Sequence, residues 1–459
     1  MPIDIISTAV FDGPEAIPGW LVLRTVVPAL AGLLAVKWYF GGNSNPWKRE
    51  LHGKVYIVTG GTAGLGAATV YELATKGAQV ILLCRALDDP FTVDFIDDMR
   101  EKTNNFMIYA EQCDLLLLHS VRLFATKWLD NQPPRRLDGV VCCASETIPK
   151  GRPRLVSVDG VELQTAVNYL LHFHLLTLLR PALHVQPADR DVRVVVVTCA
   201  LQAMGQVAPD DLLWERRAYP AGQPWLVYGT SKLLVGMFAR LLQRGLNGYE
   251  RPDKAPCNVR VCAVNPGLMR TPATRRFLSM GSVWGLLVYV LLFPVWFVFF
   301  KTAWQGCQSV LFALLSPVLG AQDGGNVIQE CRIVTKARRE YYDYELQDAV
   351  FAETERLIAR LEKLSAAERK KQEKALGLDA EKARQAAAKQ RDIHEKPDSE
   401  ADLAYKLSLM RKSMALPMGA DAPGLFAHDG PAAKATGSSA RAAAKLAKLA
   451  RPKSKSRKS

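Results

Sequence analysis

The chain of 459 residues has nine cysteines but no Cys-X-X-Cys pair and no metal-ligand spacing. That absence removes zinc ribbons and a disulfide framework. The adjacent Cys142 and Cys143, in a strand-like run, suit a reducing compartment. No metal site is expected. No internal repeat is evident, which sets solenoids and propellers aside. A basic n-region is also missing: Asp4, Asp12 and Glu15 precede the first apolar segment, so a cleaved signal peptide fits poorly. The formal net charge is +14, yet much of the excess sits in the final "ARAAAKLAKLARPKSKSRKS". Such a tail is usually solvated or drawn to a membrane surface, and no nucleic-acid recognition motif accompanies it, so no specific nucleic-acid partner is expected.

Long apolar runs, by contrast, are present. "IPGWLVLRTVVPALAGLLAVKWYFGG", from Ile17 to Gly42, is interrupted by Arg24 and Pro28. It reads as a membrane segment, with an amphipathic or buried helix as the alternative. Lys37, Lys48 and Arg49 follow it and predict that the main domain faces the cytosol. A second run, "SMGSVWGLLVYVLLFPVWFVFFK", carries no charge between Arg276 and Lys301. By length alone it spans a bilayer, and Pro294 kinks it.

From Lys54 to about Val334, apolar runs alternate with helical patterns, the signature of βαβ units on a parallel sheet. "KVYIVTG", "QVILLCR", "MIYAEQCDLL", "LDGVVCCAS", "VRVVVVTCA" and "NVRVCAVNPG" supply six strands, and "NVIQECRIV" a last one. A charged, Ala-rich helix pattern follows. Beyond about His394 the chain has too little apolar surface to fold alone.

"TGGTAGLG" follows the first strand and opens a helix. Gly60, Gly64 and Gly66 permit a tight turn and let backbone N–H groups reach a pyrophosphate at the helix N-terminus. The second strand ends at Arg85, where an arginine suits a ribose 2′-phosphate and an acid suits the 2′-hydroxyl. Arg85 therefore favours NADP(H), unless it pairs with Asp88 or Asp89. "YGTSK" places Tyr228 and Lys232 on one helical face. A nearby ammonium is expected to lower the tyrosine pKa, making Tyr228 a general acid or base.

With these motifs in order, residues 50 to 335 resemble the short-chain dehydrogenase/reductase family. "LLCR", the long interval before Tyr228 and the late "GGNVIQECRIV" resemble its membrane-associated, retinol-dehydrogenase-like branch. The resemblance implies an α/β fold, a Rossmann-type doubly wound parallel sheet. It implies a cofactor site of Gly60, Thr62, Gly64, Leu65, Gly66, Arg85, Asp114 (facing adenine), Ala144, Tyr228, Lys232, Pro266, Gly267 and Thr271. It also implies catalysis by Tyr228 and Lys232, with Asn168 supporting a proton-relay water. The expected organisation is a membrane segment at 1–45, the core domain at 50–340, a charged helical extension at 341–393 and a disordered basic tail at 394–459. Since "NVIQECRIV" must rejoin the sheet, the run at 279–301 is expected to dip into a membrane rather than span it and to form the substrate entrance, with a buried core helix as the alternative.

Two departures stand out. The family has Asn-Asn-Ala-Gly after strand four; here the residues are Cys142, Cys143, Ala144 and Ser145. The family also ends strand five with a serine whose hydroxyl polarises the substrate oxygen. Cys199 holds that position, with Thr198 before it. A thiol is a poor donor, and Thr198 substitutes only if its hydroxyl turns inward. The expected activity is carbonyl–alcohol interconversion on a lipophilic, retinoid-, steroid-, polyprenoid- or long-chain-like substrate at the cytosolic face of the endoplasmic reticulum or a lipid droplet. A cofactor-binding pseudoenzyme acting as scaffold or sensor is the alternative. A homodimer is compatible with either.

Overall fold

The computed structural model describes residues 20–375, together with Phe11, Gly13 and Glu15. The tail expected at 394–459, the end of the extension before it and most of the first nineteen residues lie outside the described residues.

Eight strands form one sheet: β1 (Val55–Thr59), β2 (Gln79–Cys84), β3 (Ile108–Gln112), β4 (Gly139–Cys142), β5 (Val192–Val197), β6 (Val259–Asn265), β7 (Asn326–Gln329) and β8 (Arg332–Ile333). Their order is β3-β2-β1-β4-β5-β6-β7-β8. The first seven are parallel and β8 returns antiparallel to β7. Central strands such as β5, with every residue buried, read as near-continuous valine runs, broken here by the buried Arg193, because helices cover both faces. One face is packed by the Gly64–Thr75 and Ala303–Leu315 helices. The other is packed by Leu118–Leu129, Leu171–Leu178 and Pro224–Asn247. The C-terminal ends of β1, β4, β5 and β6 run out together, since Thr59 lies beside Cys142 and Val197 beside Val264. Chain order reverses between β1 and β4, which opens the crevice where such sheets bind ligands.

The last strand differs from the sequence reading. "NVIQECRIV" folds as the hairpin β7–β8, not as one strand. Glu330 and Cys331 both take left-handed φ, 52° and 54°, the two-residue turn geometry that matches strand twist. The charged helix begins at Tyr344 and is part of the core at its start. Val350, Leu357, Ile358 and Leu361 form one buried stripe. The Thr354 hydroxyl bonds the Tyr169 hydroxyl at 2.8 Å.

The run expected to dip into a membrane forms two short helices, Val283–Leu291 and Phe293–Phe299. Pro294 does not kink a continuous helix. It lies in the first turn of the second one, where a missing N–H costs nothing. The excursion leaves and returns at one place, because Met269 bridges Lys301 and the Arg270 N–H donates to the Lys301 carbonyl at 2.8 Å. It is not a buried core helix either: Val283, Trp284 and Leu291 are 83%, 79% and 75% exposed.

The first apolar run is the 22-residue helix Trp20–Gly41, long enough to cross a bilayer. Its apolar side chains are likewise exposed. Its end packs beside the excursion. The Lys37 ammonium donates to the carbonyls of Phe297 and Phe300, and the Phe40 and Phe299 rings meet edge to face at 5.0 Å. The two apolar runs thus form one continuous exposed surface.

Candidate active site

One cavity of about 660 Å³ lies at the crevice. Every residue put forward for cofactor binding lines it, and so do Tyr228, Lys232, Thr198 and Cys199. Asn168 stands behind its wall.

The β1 turn has glycines because nothing else fits. A Cβ on Gly66 lies 2.1 Å from the Gly60 carbonyl oxygen, and one on Gly60 lies 2.7 Å from the Ala144 Cα. Gly60 also holds a left-handed φ of 62°. The Gly64–Thr75 helix points its N-terminus into the cavity and carries no acid in its first turn, so its dipole is free for an anion. Arg85 pairs with neither Asp88 nor Asp89. Its Nε lies 3.7 Å from Asp114 Oδ1, and its side chain stays 73% exposed at the cavity rim. Thr271 caps the Pro272–Leu278 helix by accepting from the Thr274 N–H at 3.3 Å, and its methyl approaches Gly64. This glycine cradle and open helix end fit a nicotinamide dinucleotide.

Tyr228 and Lys232 share one face of the Pro224–Asn247 helix. Lys232 Nζ lies 5.8 Å from the Tyr228 ring centre and donates to the Val197 carbonyl at 3.0 Å. The expected lowering of the Tyr228 pKa by lysine does not dominate. Burial pushes the phenol up, the neighbouring Cys199 thiol adds to that rise, and a hydrogen bond with Ser145 pulls it down. Burial also lowers the Lys232 ammonium.

Ser145 was not among the site residues expected from sequence. Its Oγ lies 3.1 Å from the Tyr228 hydroxyl, and it lines the cavity. The only signal for it was its departure from the family's glycine. Thr198 is buried, and its hydroxyl donates to the Val264 carbonyl at 3.1 Å, across the sheet. Burial pushes the Cys199 thiol up, so it is protonated at neutral pH.

Asn168 sits in a single π turn, Ala166–Leu170, a distortion often found at functional sites. Its amide is fully engaged. Nδ2 donates to the Glu146 carbonyl at 3.1 Å and to Ser231 Oγ at 3.0 Å, and Oδ1 accepts from the Glu146 N–H at 2.7 Å. Both amide hydrogens are therefore used, and the side chain clamps the loop that carries Ser145. A second buried chain was also missed. The Ala144 N–H donates to Thr59 Oγ1, which lies 3.0 Å from His172 Nε2, while His172 Nδ1 lies 3.4 Å from the Asn168 carbonyl. Burial, with Lys232 nearby, pushes His172 down to about 4, so the ring is neutral. Thr59 then donates to Nε2 and Nδ1–H faces the carbonyl. This chain ties β1, the β4 loop and the π turn where Cys142 and Cys143 provide no amides. Its sequence signal was the four-residue step from Asn168 to His172.

Comparisons with known proteins identify the family. The model of the short chain dehydrogenase family matches residues 54–208. An uncharacterized oxidoreductase of Saccharomyces cerevisiae is 42% identical over 391 residues, covering 80% of this chain and 95% of that protein. One from Schizosaccharomyces pombe is 40% identical over 364 residues, covering 79% and 97%. Retinol dehydrogenase 13 of Homo sapiens is 30% identical over 346 residues, covering 74% and 95%.

Proposed function

The chain belongs to the short-chain dehydrogenase family, in the branch that includes the retinol dehydrogenases, and from that premise we propose that it is an NADP(H)-dependent oxidoreductase interconverting a carbonyl and an alcohol on a lipophilic substrate at a membrane. The observation that carries this reading is a single cavity with three parts. The glycine cradle forms one wall, Tyr228 with Ser145 stands at the centre, and Phe277, Leu278 and Phe300 line it near the apolar excursion.

The fold binds a nicotinamide cofactor, which when bound gives or accepts a hydride at the substrate carbon. Gly60, Gly64 and Gly66 let backbone donors approach its pyrophosphate, and Arg85 meets a 2′-phosphate. Tyr228 gives its phenolic proton to the carbonyl oxygen during reduction and takes it back during alcohol oxidation. Lys232, anchored on Val197, places a positive charge beneath the site and favours the phenolate that remains. Asn168 keeps the Ser145 loop in register.

The apolar lining suits a retinoid-like, steroid, polyprenoid or long-chain compound. Retinol, named in the human relative, is of this kind. We read the Trp20–Gly41 helix as crossing the bilayer and the Val283–Phe299 excursion as lying in one leaflet beside it, at the endoplasmic reticulum or a lipid droplet. Substrate then enters from the lipid. Full-length protein is expected to resist alkaline carbonate extraction, and loss of residues 1–45 to weaken that resistance. Complete release of the full-length chain by carbonate contradicts the membrane assignment.

The direct test is turnover of a panel of such alcohols and carbonyls by full-length protein in detergent with each cofactor. NADPH is expected to bind more tightly than NADH. Arg85→Ala should weaken NADPH by about tenfold, roughly 1.4 kcal/mol for one exposed charged contact, and leave NADH unchanged. Equal affinities in the unaltered protein overturn the role given to Arg85. Cofactor binding with no turnover across the panel favours the pseudoenzyme.

A further inference from the structure

We propose that Ser145 supplies the polarising hydroxyl of this active site, the role left open by Cys199 at the end of strand five. The inference rests on the oxidoreductase reading and adds to it the donor that the strand-five position lacks.

Three residues are placed to act, and geometry separates them. Thr198 has its proton committed to the Val264 carbonyl on the neighbouring strand. Cys199 borders the cavity, but an S–H is a weak donor. Ser145 borders the cavity too, and its Oγ lies 3.1 Å from the Tyr228 hydroxyl. Among the described residues it is the one whose side-chain hydroxyl bonds the Tyr228 phenol. A substrate oxygen that accepts the Tyr228 proton must approach that same hydroxyl, which brings it within reach of Ser145.

The surroundings hold Ser145 there. Asn168 grips the next residue from both sides, taking the Glu146 N–H and donating to the Glu146 carbonyl. The preceding residue is held as well, with the Ala144 N–H on Thr59 Oγ1. The hydroxyl is thus presented by a loop pinned on each flank, the preorganisation that makes a donor effective as charge develops on oxygen. During reduction, Ser145 donates to the carbonyl oxygen as the Tyr228 proton moves onto it. It then bonds the phenolate left behind.

Two measurements on full-length protein in detergent decide the matter. In the first, Ser145→Ala lowers kcat by on the order of 10²–10³, with KM and cofactor affinity little changed, and Ser145→Thr keeps most of the rate. Adding Cys199→Ser to Ser145→Ala, which puts a hydroxyl back at the end of strand five, restores part of the loss. In the second, Tyr228 carries a fluorotyrosine label and its ¹⁹F shift is followed against pH. Ser145→Ala moves that titration upward, whereas Thr198→Val and Cys199→Ala do not. A kcat that survives Ser145→Ala overturns the proposal. If the unaltered protein turns over nothing, the oxidoreductase reading is what fails, and an unmoved titration in Ser145→Ala still overturns the contact with Tyr228.

Discussion

Tyr228→Phe is expected to lower turnover by about 10⁴, the upper range for removing a general acid, while NADP(H) binding stays essentially as it was. The phenol is the group at the cavity centre whose proton can reach a substrate oxygen. Lys232 is fixed on the Val197 carbonyl and does not replace it. Phenylalanine fills the same volume on a helix whose neighbouring residues are buried, so the fold holds. The glycine cradle and Arg85 are untouched, which separates chemistry from binding. The pH profile adds a second signature. Because burial raises the phenol, alcohol oxidation, which needs phenolate, should speed up as pH rises. Carbonyl reduction, which needs the phenol, should stay flat over the same range, because burial keeps the phenol protonated. Stopped-flow turnover and cofactor titration on the same preparation make the comparison. Undiminished turnover in Tyr228→Phe removes the proton-transfer role.

The sheet was legible because strands buried on both faces leave short, largely apolar runs rich in valine, and glycine punctuation marks where the first one ends. The cradle was legible for a steric reason: the Gly66 position leaves no room beside the Gly60 carbonyl for a side chain. What sequence did not show was direction. Thr198 and Cys199 are adjacent at a strand end, and only the register of β5 on β6 shows the Thr198 hydroxyl turned to Val264. Ser145 was visible only as an odd residue in a motif, since its partner lies 83 positions later. Asn168 was found, but the π turn that aims its amide at Glu146 has no sequence mark. The stripe Val350, Leu357, Ile358 and Leu361 had helical spacing. The charges around it made that helix read as an extension, although its first half closes the core. The two apolar runs were each visible, but not their pairing through Lys37 and Phe297, which joins positions 260 apart.

The buried His172 should make the fold acid-sensitive from an unexpectedly high pH. Its ring is neutral because burial and the nearby Lys232 hold it down to about 4, against an ordinary value of 6.5. Unfolding exposes the ring to water, where it binds a proton below about pH 6.5. Between pH 6.5 and 4 the unfolded chain therefore carries a proton that the folded one refuses. Stability is complete above the upper value, falls as pH drops through the window, and stops falling from this cause below the lower one. At about 1.4 kcal/mol per pH unit, the full loss is about 3 kcal/mol. His174, two residues on and buried beside Glu362, is also pushed down, to about 4, and acts in the same direction. His172→Gln removes the His172 titration while leaving a carbonyl able to accept from Thr59. Urea unfolding of unaltered and His172→Gln protein at pH 7, 6 and 5 should give a shallower pH slope for the variant, by up to about one proton. The absolute stability of the variant does not enter the comparison. Parallel slopes mean that His172 is not the neutral link between β1 and the π turn, and the chain from Ala144 through Thr59 to Asn168 then needs another explanation.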